Sequence, residues 1–130
     1  MAASRIVGIG VDIESIQRFR NKPLVKNEKF YRRLFTPVEI EYCKTKKDPY
    51  PHFTARFCAK EALKKALPET LSPGWQNVEI RNDEKGRPSV HFLPVSQSSS
   101  EHSALDKYGV QISLSHDNAR AIAFVIIENI

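Results

Sequence analysis

The chain has 130 residues, 41% of them hydrophobic and 27% charged, which suits one soluble domain spanning 1–130. Its formal net charge of +5 draws acidic partners: nucleic acid, a membrane surface, a phosphorylated ligand or an acidic protein. No apolar run is long enough to span a bilayer, and no early stretch reads as a signal peptide. Cys43 and Cys58 fit neither a disulfide framework nor a zinc spacing, so they read as reduced thiols in a cytoplasmic setting. A mitochondrial address stays open, although four residues before the first strand leave little room for a transit peptide.

Residues 5–13 alternate like a strand. Val7, Ile9, Val11 and Ile13 point one way, and Gly8, Gly10 and Asp12 the other, so one face is apolar and the other nearly bare. Residues 14–20 read as a short helix, and a second begins near Asn27. Thr36-Pro37-Val38-Glu39 is a helix start, with Thr36 as cap, Pro37 at the first position and Glu39 closing a capping box; this helix runs to about Lys44. A basic loop follows, and then the strongest helical pattern, residues 52–67. There Ala55, Ala59, Ala62 and Ala66 recur at helical spacing and Pro68 ends the run. Residues 78–81 and 89–92 read as strands around the turn 82–88. Residues 94–100 read as a surface loop and 100–108 as a short helix. Residues 110–115 alternate as a half-buried strand, 116–118 turn, and 119–127, apolar on both parities, reads as a strand buried on both faces.

Four constellations carry polar chemistry. Asp12, at the end of the bare strand face, either holds a hard cation or caps the following helix. Glu61 and Lys65 stand four apart on one helix face, as an ordinary ion pair or as a carboxylate with ammonium groups suited to a polyphosphate. Ser113, Ser115, His116 and Asp117 form either a polar hairpin turn or a hydrogen-bonding site for phosphate. Adjacent residues of this kind rarely form a hydrolytic triad. The run Arg18, Arg20, Lys22, Lys26, Lys29, Arg32 and Arg33, with Phe19, Phe30 and Tyr31 between, is a solvated face, a dock for an acidic helix, or a nucleic-acid track. No nucleic-acid-binding motif supports the last.

Gly10-x-Asp12 with Arg18, then Phe57-x-x-Lys60-Glu61-Ala62-x-x-Lys65, resembles the phosphopantetheinyl transferases. The short length and single copy of the motifs resemble the holo-acyl-carrier-protein synthase branch. Thr36-Pro37-x-Glu39, Gly86-x-Pro88 and Ser113-Leu114-Ser115-His116 fall in the order of that branch. The similarity spans residues 5–127 and departs from the pattern chiefly at the Ser-rich segment 94–103. It implies an α+β fold, a small antiparallel sheet packed on a long helix, and a homotrimer with active sites at subunit interfaces. It implies magnesium-dependent transfer of 4′-phosphopantetheine from coenzyme A to a serine of an apo acyl carrier protein, releasing 3′,5′-ADP, in fatty acid and lipid biosynthesis. Asp12 and Glu61 would be the metal carboxylates and share catalysis with Lys65, the lysine near the coenzyme A phosphates. Lys47, Gly86, Ser115 and His116 would line the coenzyme A site, and Arg18 and Arg20 would meet an acidic carrier protein. The competing reading is a small basic module that binds nucleic acid or an acidic protein without catalysis. Neither nucleic acid nor membrane is expected as a partner.

Overall fold

In the computed structural model, which describes residues 5–94 and 104–130, one long helix lies across a three-stranded antiparallel sheet. Strand β1 is Ile6–Ser15. Helices α1 (Ile16–Arg20), α2 (Glu28–Leu34) and α3 (Pro37–Lys44) follow, then the long α4 (Tyr50–Ala66). Strands β2 (Val78–Asn82) and β3 (Pro88–Phe92) form a separate hairpin, and β4 (Tyr108–His116) and β5 (Arg120–Asn129) complete the main sheet. That sheet has the order β1-β5-β4. The fold is α+β, as expected.

Glycine decides how β1 meets α4. A Cβ on Gly8 would stand 1.8 Å from the Ala66 carbonyl oxygen, and one on Gly10 would stand 1.9 Å from that of Ala62. The backbones therefore touch through Gly8 and Gly10 on one side and the small alanines on the other. Ala59, Ala62 and Ala66 join Ala121, Ala123, Val125 and Ile127 of β5 in one core. The opposite side of α4 carries Phe53 and Phe57 into a second core with Phe19, Tyr31, Leu34 and Cys43 of the preceding helices and Phe35 just after α2. The long helix is thus covered from two sides.

Several boundaries differ from the sequence expectation, each for a local reason. β1 continues to Ser15, whose hydroxyl accepts the Gln17 N–H at 3.2 Å, so Ser15 and not Asp12 caps α1. Helix α4 starts at Tyr50, ahead of its expected start at 52, because Pro51 fits the first turn. The Thr36–Glu39 capping box is present. Tyr108 opens β4 and does not end a helix; Ala104 and Leu105 are helical, Asp106 and Lys107 form a turn, and residues 100–103 of the expected helix lie outside the described residues. β5 is buried on one face only: Ala121, Ala123, Val125 and Ile127 face α4, while Ile122 and Phe124 stay exposed. Ile9, Val11 and Ile13 are exposed on the same outer face, because they pair in register with β5. Among the described residues, no helix is long and apolar enough to cross a membrane.

Candidate active site

Asp12 pairs across the sheet with Ala123, so its side chain points to the α4 side, in line with Gly8 and Gly10. There its Oδ1 accepts the Lys65 ammonium at 3.2 Å, and that ammonium also donates to the Val11 carbonyl at 2.9 Å. Glu61 stands one turn before Lys65 on the same helix face and one turn after Cys58. The buried Cys58 thiol senses both acids. Burial first pushes its pKa up, then the Asp12 carboxylate beside it, with Glu14 and Glu61 adding negative charge. Asp12, Glu61 and Lys65 are therefore gathered at one place, half-buried acids beside an exposed ammonium. The glycines make that gathering possible, because they let β1 lie directly on the helix backbone.

Arg18 emerges next to this cluster. Its Nη1 donates to Glu14 Oε2 at 2.7 Å, and its guanidinium lies 4.8 Å from the centre of the Phe57 ring. Arg20 is already occupied: it binds Asp48 through both Nη atoms, at 3.1 and 2.6 Å. That pair holds the Asp48 carboxyl below its usual range.

A second cluster forms at the other end of α4. His116 meets His52 edge-on at 5.7 Å between ring centres. These two rings, with Arg20, Lys47 and Asp117, line a depression of about 300 Å³. His52 loses basicity through burial first, and then through Arg56, Lys46 and His116, against the opposing pull of Asp48. The Asp117 carboxyl is held down by the Ala119 and Arg120 backbone N–H groups it accepts from. From His52 to Glu61 the helix rises roughly 14 Å, at about 1.5 Å per residue.

The remaining site candidates stand apart from Asp12 within one chain. Gly86, at φ 84°, sits in the hairpin turn beside a groove of about 1000 Å³ shared with Ile112, Ser113 and Leu114. Ser115 pairs with Ile122, so it lies on the outer sheet face, opposite Asp12. The structure thus brings together Asp12, Glu61 and Lys65, separately His116 and Lys47, and neither Gly86 nor Ser115 with the acids.

Two features escaped the sequence reading. Lys60, next to Glu61 in the helix, is buried. It donates to Glu39 Oε1 at 2.7 Å, to the Leu34 carbonyl at 2.9 Å and to the Trp75 carbonyl at 2.8 Å. Glu39 also accepts the Thr36 and Ile80 N–H groups, both at 2.8 Å. The capping box announced Glu39 as a helix start but carried no sign of a buried partner. Arg56 is the second. It is buried beneath Tyr42, bonded to the His52 carbonyl and to Asn82, with its Nε unpartnered among the described residues. Of the aromatic residues in the basic run, Phe19 and Tyr31 are fully buried in the core, while Phe30 is half-buried with the Lys22 ammonium over its ring.

A divalent ion fits the donor set. Among the described residues there is no group of three or more His, Cys, Asp or Glu that could hold a metal alone. Magnesium asks for less: one or two carboxylates, with substrate phosphates and waters completing its shell. Asp12 and Glu61 supply that number of oxygen donors.

The comparisons with known proteins follow the same lines. A family model described as the 4′-phosphopantetheinyl transferase superfamily matches residues 8–125. A holo-[acyl-carrier-protein] synthase of Chlorobium limicola is 44% identical over 121 residues, covering 92% of this chain and 91% of the relative. One from Geotalea daltonii is 41% identical over 125 residues, covering 95% and 98%. A crystal structure of the Bacillus anthracis holo-(acyl-carrier-protein) synthase in complex with CoA (3′,5′-ADP) superposes with a TM-score of 0.72 at 28% identity, covering 98% of this chain and 100% of that one. The chain belongs to the 4′-phosphopantetheinyl transferase superfamily and is an enzyme of its holo-acyl-carrier-protein synthase branch.

Proposed function

We propose that the protein, as a single domain acting in the cytoplasm, transfers the 4′-phosphopantetheine of coenzyme A to a serine of an acidic acyl carrier protein, with magnesium held by Asp12 and Glu61. The observation that carries the reading is the Lys65–Asp12 ion pair, which α4 forms one helical turn beyond Glu61. The serine hydroxyl gives up its proton to solvent water, and its oxygen bonds to the β-phosphorus. The bond from that phosphorus to 3′,5′-ADP breaks, and the departing group keeps the electron pair. When bound, the ion would neutralise charge on the phosphoryl oxygens and polarise the phosphorus. Lys65 neutralises the charge left on 3′,5′-ADP, and its bond to Asp12 keeps the ammonium aimed at that point. Arg18, half exposed beside the acids, steers the carrier.

Lys47, His116, Gly86 and Ser115 reach the coenzyme A site as surfaces of a homotrimer, where one chain's acids face another chain's turn and outer sheet. The exposed apolar strip on β1 and β5 supports that assembly. Carriers of fatty acid synthesis are the acidic partners this reading favours.

The test is direct. Apo carrier protein incubated with coenzyme A, magnesium and the enzyme gains the mass of the phosphopantetheine arm. Asp12→Ala and Glu61→Ala each abolish the gain while circular dichroism stays native. Full activity in either variant removes the metal assignment.

A further inference from the structure

The Phe57 ring that carries the Arg18 guanidinium also stacks on Trp75, with ring centres 5.4 Å apart and planes inclined by 14°. Trp75 is the only tryptophan in the chain. Its turn, Trp75–Asn77, is held from two sides. The buried Lys60 ammonium donates to the Trp75 carbonyl at 2.8 Å, and Gln76 Nε2 donates to the Arg32 and Phe35 carbonyls at 2.6 and 2.8 Å. The indole is therefore a fixed backing, anchored to α4 and to the end of α2. Next to it lies a depression of about 220 Å³, lined by Leu63, Lys64, Pro73 and Gly74.

We propose that Trp75 is a positioning residue for carrier docking: stacked on Phe57, it fixes the ring that presents the Arg18 guanidinium to the acidic carrier. The inference rests on the docking role given to Arg18 above. Arg18 spends one nitrogen on Glu14 and remains 51% exposed in its side chain, so the other donors of its planar fork face solvent. A guanidinium held over an aromatic face loses less rotamer freedom when it pairs with a carboxylate. Without the indole, Phe57 tilts toward the neighbouring depression and Arg18 loses its ring.

The effect equals one exposed cation–aromatic contact, about two- to fivefold in affinity. Trp75→Ala therefore raises the KM for apo carrier by that factor and leaves the KM for coenzyme A unchanged. Trp75→Phe, which keeps a flat ring, restores most of the loss and serves where the alanine variant folds poorly. In an Arg18→Ala background the Trp75 substitution adds nothing, because the residue acts through Arg18; a purely structural role would act equally in both backgrounds. In the unmodified enzyme, titration with apo carrier shifts the emission of Trp75, and coenzyme A alone does not. If Arg18→Ala leaves the carrier KM unchanged, the docking reading itself falls and the inference with it. If Arg18→Ala raises that KM while Trp75 substitutions are additive with it, or raise both KM values alike, the docking reading stands and Trp75 has no part in it.

Discussion

Lys60 and Lys65 sit five residues apart on one helix and do opposite things. Lys65 is exposed and spans to Asp12; Lys60 is sealed in the core between Glu39, two carbonyls and an aromatic ring. Burial lowers the Lys60 pKa, and the Glu39 carboxylate works against that by favouring the charged form. Removing one partner strands the other charge away from water. Lys60→Met is expected to destabilise the fold by about 3–5 kcal/mol, read as a lowered urea midpoint. A midpoint unchanged from the parent would mean that the pair contributes nothing net. His52 gives the pH counterpart. Its folded pKa lies below the ordinary 6.5, so the unfolded chain binds the proton more readily. Its contribution is complete above pH 6.5 and is lost as the pH falls through the depressed value. His52→Gln is expected to flatten the decline of thermal stability on acidification between pH 6.5 and that depressed value, as followed by melts at stepped pH.

At the scale of elements, the contact of β1 with α4 decides whether there is a site. The strand supplies Asp12 and the helix supplies Glu61 and Lys65, and only glycines allow the two backbones to approach so closely. Gly10→Ala places a methyl group against the Ala62 carbonyl, which is backbone and cannot swing aside. The expected cost is about 1–3 kcal/mol in stability, the usual range for an overfilled core. A larger loss is expected in transfer activity, because the strand must lift away from the helix and carries Asp12 with it. Denaturant melts and initial rates measured on the same preparation separate the two. Activity falling only as far as the folded fraction does would contradict the argument.

The whole molecule leaves an apolar surface open. Ile9, Val11, Ile13, Ile122 and Phe124 are exposed together on the outer sheet face, with Ile9 62% and Phe124 42% exposed. A patch of that kind on a small chain marks an interface. The proposed homotrimer is expected to sediment at three times the chain mass. Phe124→Lys is expected to shift it toward monomer and to lower transfer, since in the proposed assembly Gly86 and Ser115 would reach the acids from another chain. A monomeric parent with full activity would refute the shared site.

The family resemblance supplied the fold class, while the capping box of α3, the alanine stripe of α4 and the bare face of β1 were all legible in the order of residues. Each is written in the periodicity of one segment. Local pattern also determined the identities of Asp12, Glu61 and Lys65, and the family resemblance gave them roles. What no segment contains is the partner of each side chain. Whether Lys60 faces phosphate or Glu39 depends on α3 arriving 21 residues earlier in the chain. Which face of β5 stays open depends on where α4 and β1 lie. Ser115 and His116 are neighbours in sequence, yet alternation along β4 sends one to the outer face and the other to His52. Periodicity states the direction of a side chain relative to its own element. Burial and ion pairing are settled between distant elements, and so were decided only by the tertiary structure.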